Sequence, residues 1–508
     1  MISAVLVYDI GTTSVKSALF DFSGDLLFSV SVPYPTRYEH PGWAEQDPDE
    51  YWLAVITGTK ELQKDTRWPR LTIEAVSLTG HMNGTLCVDG QGEPVYPQLI
   101  HSDTRSALQV QNILSRIPQK EIYRESGNRM DEFLSLPKLL WIHDMEKHSF
   151  SECRFVINSK DFVRSRLTGV VGTTDFSDAS LTGAFSMERK GWNRELIEAV
   201  GLSADIFPDI HPSFHVDGYI SPEAARTLNL REGTPVATGG GDAACATRGA
   251  MVRSEEETYI SLGSSSWMSM LRNSAVHDDM MRMQHFYDLD GSQVNVCGTT
   301  QAAGTATDWS RDILTQQSGT DIRSLEQALS ELPIGNGLIT LPFLQGERTP
   351  HWDPYARGCM LGLSAATTAH QMARSWYEAV SFALYSIYNV YRDLSMHPAK
   401  ITIIGGGARS AFWTQMIADV FGTTVNRHPF HLHATSYGAA LAGMVAAGGY
   451  QTIDEAVSAT SRSGTTMSPD EASHTTYMNY YSLYNRLYET LRPLYRDLSK
   501  IHEEGESI

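Results

Sequence analysis

Three features of this sequence predict an α/β fold built in two halves. Short apolar runs alternate with helical patterns along the whole chain, as in sheets whose strands are joined by helices. A strand, glycine, hydroxyl, strand pattern near the N-terminus returns about halfway along. Two further strands each run into three consecutive glycines that open a helix. At 508 residues the chain is too long for one core, which agrees with two domains.

The elements follow in order. AVLVYDI, VKSALFD and DLLFSVSV read as three consecutive strands joined by the tight turns GTTS and FSGD. DPDEYWLAVITGTKELQ has helical spacing, with Asp47 as its N-cap and Pro48 at the first helical position. IEAVSLTG is a buried strand ending in glycine. In the second half, TYISLGSSSWMSML repeats the grammar of VYDIGTTSVKSAL, with Gly263 in the place of Gly11. Gly-Ser turns are common in hairpins, but an offset of half the chain points to a duplicated unit whose second copy starts near residue 250. TPVATGGGDAACATRGA and KITIIGGGARSAFWTQMIADVFG share the strand, triple-glycine, helix pattern. It lets a helix N-terminus and its free N–H groups come close to a ligand. The terminal YMNYYSLYNRLYETLRPLYRDL is a helix docking a Tyr and Leu stripe on the body, with Pro493 inside it.

Composition narrows the partners. Hydrophobic content of 42% and charged content of 19% fit an ordered globular protein. A formal net charge of −19 repels nucleic acid and anionic membranes, so any phosphate site must be locally positive. Cys87, Cys153, Cys245, Cys297 and Cys359 are widely spaced, which supports neither a zinc site nor a disulfide framework. The chain enters a strand almost at once, and no run reaches the roughly 18–20 apolar residues that span a bilayer. A cytoplasmic setting is expected. The oligomeric state is open, a homodimer included.

The first hairpin has the makings of an anion site. Gly11, Thr12, Thr13 and Ser14 offer backbone N–H groups and hydroxyls in one tight turn. Asp9 would repel a phosphate directly but could hold Mg²⁺ that bridges phosphate oxygens. Lys16 is either a further positive charge there or an ordinary strand lysine. The second hairpin, at Gly263–Ser266, could clamp the same polyphosphate. Asp242, after the glycines of GGGDAAC, is either an N-cap or a base for a substrate hydroxyl. His428, His431 and His433 lack a nearby carboxylate or cysteine, which argues against a metal centre there.

Taken together, DIGTTSVKSALFD, GWAEQDPDEYW, HSDTR, LPKLLWI, SKDFVRSRLTG, TDFSDAS, GGGDAAC, SLGSSS, LPFLQGERTPHWDPYARGCMLGL, IIGGGARSAFWTQMIADVFG and SYGAALAG, in this order, resemble the FGGY carbohydrate kinases. Xylulose kinases look nearest within that family. The resemblance implies two ribonuclease H-like (actin-like ATPase) domains around a central cleft, residues 1–248 binding sugar and 249–508 binding ATP with Mg²⁺. It puts Asp9, as metal anchor, with Thr12, Thr13 and Lys16 on a first phosphate motif, and Gly263, Ser264 and Ser265 on a second. Gly304 and Thr305 fall on a nucleotide-contacting turn, and Gly406, Gly407, Ala408 and Arg409 on the adenosine motif. Asp242 falls on the catalytic base.

The substrate positions depart from the xylulose kinase pattern. That group usually has Gly-Gln-Met-His-Gly where this chain has GHMNG, and Asn where Ala243 stands. Its Trp-Asn-Asp-x-Arg is HSDTR here. His431 and His433 stand where the family often has an acidic residue. The expected substrate contacts are therefore His81, Met82, Asn83, His101, Asp103 and Arg105. The expected activity is ATP-dependent phosphorylation of a small sugar, a ketose such as xylulose first. The alternatives are gluconate, glycerol or another polyol, a tetrulose, or a non-catalytic sugar- and ATP-binding protein on the same fold.

Overall fold

In the computed structural model of the protein, which describes residues 1–315 and 322–505, the N-terminal apolar run forms β1 (Ile2–Ile10). It pairs antiparallel with β2 (Ser14–Asp21), which pairs antiparallel with β3 (Leu26–Pro33). A short strand β4 (Glu45–Gln46) leads into helix α1 (Pro48–Leu62). The Asp47 side chain caps this helix by accepting from the N–H of Asp49 at 3.1 Å, and Pro48 opens it. The buried run after it is β5 (Leu71–Gly80), parallel to β1. Strands Pro235–Ala237 and Val216–Tyr219 complete this side of the sheet, and Gly240–Gly241 also pairs with β5.

The chain divides into two units, each discontinuous in sequence. The first comprises Met1–Arg253, Leu271–Val296 and His433–Arg462; the second comprises Ser254–Met270, Cys297–Leu432 and Ser463–Ile508. A single cut after residue 248 would leave Leu271–Val296 and His433–Arg462 in the second half, whereas both pack with the first.

In the first unit, the core joins Leu6, Tyr8 and Ile10 of β1 to Val76 and Leu78 of β5 and to Val55 and Leu62 of α1. Removing these side chains from water is the main stabilising term. The one polar group among them is satisfied, since Tyr8 Oη and Thr59 Oγ1 are hydrogen-bonded at 2.7 Å. Helix Ala434–Ala446 covers the other face of β1 and β5. Its Gly443 lies so close to the sheet that a Cβ would meet Val5 Cγ1 at 2.4 Å.

The second unit repeats the plan. Strand Glu257–Leu262 forms an antiparallel hairpin with Ser266–Arg272 and pairs in parallel with Lys400–Ile404. Val425–Arg427 and Thr465–Met467 extend the sheet. The repeated hairpin is thus a repeated structural element, with a turn one residue shorter in the second copy. Helix Glu471–Gly505 docks on this unit through Tyr477, Tyr484, Tyr488 and Tyr495, all buried. Leu483, Leu494 and Leu498 instead face solvent, so only the tyrosine half of the expected stripe is buried. Two of these phenols have partners: Tyr488 Oη donates to Asp353 at 2.9 Å, and Arg374 Nη2 donates to Tyr477 Oη at 3.2 Å, whereas the buried Tyr495 hydroxyl is unpaired among the described residues. Among the described residues no helix is long and apolar enough to cross a membrane.

Candidate active site

On the first unit, the β1–β2 turn is closed by Gly11 N–H donating to the Ser14 carbonyl at 3.0 Å. Neighbours fix it from behind. Gln46 Nε2 donates to the Thr12 carbonyl at 2.7 Å, and Tyr51 Oη donates to Gln46 Oε1 at 2.7 Å. The Tyr34 N–H donates to the Thr13 carbonyl at 3.2 Å, and its hydroxyl donates to the Gly11 carbonyl. The carbonyls are thereby turned inward, and Thr12 and Thr13 lie toward solvent. Asp9, at the end of β1, accepts from Ser436 Oγ at 2.8 Å, and Lys16 Nζ lies 3.9 Å from the same carboxylate oxygen.

Asp242 is the first residue of helix Asp242–Gly249, and Gly241 occupies the cap position, so the N-cap reading of Asp242 does not hold. Burial pushes its carboxyl up to about 7, and the negative charge of Asp9 adds to the effect. Three glycines are needed here because the chain runs close to its neighbours. A Cβ on Gly239 would meet the Leu78 carbonyl oxygen at 2.4 Å, and one on Gly241 would meet Met82 Cγ at 2.6 Å. The Gly241 N–H donates to Ser177 Oγ at 2.9 Å, and Ser177 in turn bonds Asp175. Beneath lies a buried ion network in which Lys160 Nζ meets Asp161 at 2.6 Å and Asp175 and Asp178 at 3.0 Å each. SKDFVRSRLTG and TDFSDAS thus supply the support under the Asp242 loop.

The GHMNG loop continues from β5, with the His81 N–H donating to the Ile10 carbonyl at 3.0 Å. His81 is 1% exposed, and among the described residues neither ring nitrogen has a hydrogen-bond partner. Burial lowers its pKa to about 4, so the ring is neutral. The ring of His101 lies 6.3 Å from it. Asn83 sits at φ 63°, a left-handed conformation that asparagine tolerates, with its buried Oδ1 unpaired. Asp103 and Arg105 are differently placed. Arg105 donates to Asp103 from Nη2 at 2.7 Å and to Glu45 from Nη1 at 2.7 Å, and it stacks 3.6 Å over Trp43. Asp103 also accepts from the Ala44 N–H at 2.7 Å and is 0% exposed. The pair is engaged with the protein and braces the loop that carries His101.

The second unit gathers the other expected residues. The Gly304 N–H donates to the Gly263 carbonyl at 2.9 Å, and the Ala303 and Thr305 N–H groups donate to the Ser264 carbonyl at 2.9 and 3.1 Å. A Cβ on Gly304 would meet the Gly263 oxygen at 2.5 Å, and one on Gly405 would meet the Leu262 oxygen at 2.5 Å. Gly263, Ser264, Gly304, Gly406, Gly407 and Arg409 line one cavity of about 950 Å³. Ala408 is buried beneath it at 0% exposure, and neither Ser265 nor Thr305 belongs to its lining. Its wall sets Arg311, Arg409 and Arg427 against Asp308 and Glu326, a slight positive excess in a chain of net charge −19, and Arg311 is paired with Asp308 at 2.9 Å. Glu347 holds the approach to Gly304, accepting from Thr300 Oγ1 at 2.7 Å and from the Gln301 N–H at 3.0 Å.

Sequence reasoning assigned no role to Ser436, Gln46, Tyr34, Ser177 or Glu347. The signal for Gln46, Ser177, Glu347 and Ser436 was membership of motifs such as SYGAALAG and GERTP, and Tyr34 lies in none of the motifs quoted above. His428 and His431 bond within their own loop: His428 Nδ1 accepts from the Phe430 N–H at 3.1 Å, and His431 Nδ1 meets the His428 carbonyl at 3.1 Å.

Comparison with known proteins agrees over nearly the whole chain. The family described as "FGGY family of carbohydrate kinases, N-terminal domain" matches residues 4–249, and its C-terminal counterpart matches 258–447. A xylulose kinase of Staphylococcus epidermidis is 31% identical over 98% of this chain and 99% of its own. A gluconokinase of Bacillus subtilis is 27% identical over 99% of this chain and 97% of its own. The crystal structure of xylulose kinase from Rhodospirillum rubrum superposes with a TM-score of 0.87 at 27% identity, covering 97% of this chain and all of that one (100%).

Proposed function

The chain belongs to the FGGY family of carbohydrate kinases, phosphotransferases with an alcohol acceptor on an actin-like ATPase fold, and we propose that it phosphorylates a small neutral ketose, xylulose first, with Asp242 as general base. The observation that carries this reading is the pairing of Asp9 and Asp242. Burial, with the charge of Asp9 adding to it, raises Asp242 to about 7 and gives a base poised near neutral pH. A carboxylate pair of that kind also fits a divalent cation, since a bound cation relieves the repulsion. Asp9, oriented by Ser436 and Lys16, would hold Mg²⁺, which neutralises charge on the phosphate oxygens when bound. The N–H groups and hydroxyls of Thr12 and Thr13 would orient the transferred phosphate, while Asp242 takes the proton of the attacking hydroxyl. The nucleotide itself would sit in the cavity of the second unit. There Gly263 and Ser264 would contact phosphates, and Gly406, Gly407 and Arg409 the adenosine.

The preference for a neutral sugar rests on the state of the nearby cations. Arg105 is taken by Asp103 and Glu45, and Lys160 by three aspartates. Lys138 donates to the carbonyls of Asn83, Phe133 and Leu134. The neutral His81 and the amide of Asn83 suit hydroxyl and carbonyl groups rather than a carboxylate. The test is a coupled ADP-release assay over pentuloses, tetruloses, polyols and aldonates. The expected result is a ketose with kcat/KM at least about tenfold above gluconate, the loss caused by one unpaired buried group. A higher value for gluconate would overturn the substrate assignment while leaving phosphoryl transfer intact.

A further inference from the structure

One set of ligand-bearing side chains on the first unit has no part in this chemistry. The segment HPSFHVD places His211 at the end of strand Asp209–His211, His215 in the turn after it, and Asp217 in strand Val216–Tyr219. One donor atom from each residue lies within 4.8 Å of the others. The two imidazoles stack with ring centres 4.4 Å apart and planes 10° apart. Among the described residues neither ring is hydrogen-bonded to protein.

The backbone around them is held at nearly every residue. The His215 N–H closes the turn on the Pro212 carbonyl at 2.9 Å. The Ser213 N–H donates to Leu289 O at 2.7 Å, and its carbonyl accepts from the Gly239 N–H at 2.9 Å. The His215 carbonyl accepts from the Thr238 N–H at 2.9 Å, and His211 pairs with Asp175 in a parallel ladder. The Asp217 carboxylate is oriented through one oxygen only. Thr173 Oγ1 donates to Oδ2, and Arg164 Nε forms an ion pair with the same oxygen at 2.9 Å. Among the described residues Oδ1 has no hydrogen bond or ion pair, which leaves it available as a ligand atom. Outer partners that aim a carboxylate ligand in this way are a usual feature of metal sites.

We propose that His211, His215 and Asp217 bind one divalent transition cation of the Zn²⁺ class. Two imidazole nitrogens and one carboxylate oxygen suit Zn²⁺, Co²⁺ or Ni²⁺, whereas Mg²⁺ and Ca²⁺ prefer all-oxygen shells. Three protein ligands leave the remaining position to water, and the exposed His215 gives an entry path. The donor set differs from the carboxylates of Asp9 and Asp242, so the two sites should sort cations. The cation would also brace the turn that holds Thr238 and Gly239, which lead into Asp242.

The experiment is titration of the chelator-treated full chain with Co²⁺, followed by its visible absorption and by displacement with Zn²⁺. The expected result is one equivalent bound, insensitive to excess Mg²⁺, with affinity reduced at least about tenfold in His215→Ala and in His211→Asn. His215 is exposed, so His215→Ala should unfold at the wild-type temperature without metal. Added Zn²⁺ should raise that temperature in the wild type and not in the variant. Failure of the wild type to bind stoichiometrically, or equal binding by His215→Ala, would overturn the proposal.

Discussion

Asp242 stores an electrostatic cost that can be measured apart from catalysis. Its folded pKa of about 7 stands above the ordinary value of 3.8. Below pH 3.8 the carboxyl is protonated in both states and costs nothing. Between the two values only the unfolded chain ionises, so stability falls as pH rises, and above 7 the loss is complete and constant. Asp242→Asn should therefore raise the unfolding temperature most at pH 7 and above, by at most roughly 4 kcal/mol in stability, with the gain fading toward pH 4. Thermal denaturation from pH 4 to 8 checks this, and a gain independent of pH would contradict the burial argument. At this scale the sequence was only partly legible. Asp9 and Asp242 stood out because an acid next to a glycine turn is locally odd. Ser436, which orients Asp9, lies 427 positions away, and no local pattern announces such a contact. Asp103 and Arg105 were legible as charged neighbours. Their mutual pairing under Trp43 depends on a side-chain packing that spacing does not encode.

Among the elements, two helices cross where glycines alone permit it. A Cβ on Gly438 would stand 1.8 Å from the Cys245 carbonyl oxygen, and one on Gly249 would stand 1.8 Å from the Ala434 carbonyl oxygen. Both obstacles are backbone, which cannot rotate away. Gly438→Ala should cost roughly 1–3 kcal/mol or more and lower the unfolding temperature by several degrees in a calorimetric scan. An unchanged temperature would mean that the helices are not so closely packed. The hairpins and the strand, glycine, helix units were legible because turn chemistry and hydrophobic period are local properties. The helix Ala434–Ala446 was legible as a motif. Its seat on β1 and β5 was not, because any apolar helix can cover any apolar sheet.

For the whole molecule, the discontinuity of the first unit has a direct consequence. A fragment ending at Arg253 lacks the helix whose Gly443 rests on Val5 and Ser77, and it exposes that face of β1 and β5 to water. Such a fragment should show no cooperative unfolding by circular dichroism, and a sharp transition would contradict the assignment of His433–Arg462 to the first unit. The half-length repeat made a two-part molecule legible, but a returning segment leaves no mark in composition. The net charge of −19 raised the question of how an anionic nucleotide binds, and Arg409 and Arg427 on the wall of one cavity offer a local answer, since Arg311 there is paired with Asp308. The most direct measurement is phosphoryl transfer by Asp242→Asn with nucleotide affinity determined on the same sample. Loss of the base should cut kcat at least about 100-fold and leave nucleotide binding near the wild-type value. Turnover close to that of the wild type, with nucleotide bound, would contradict Asp242 as the general base.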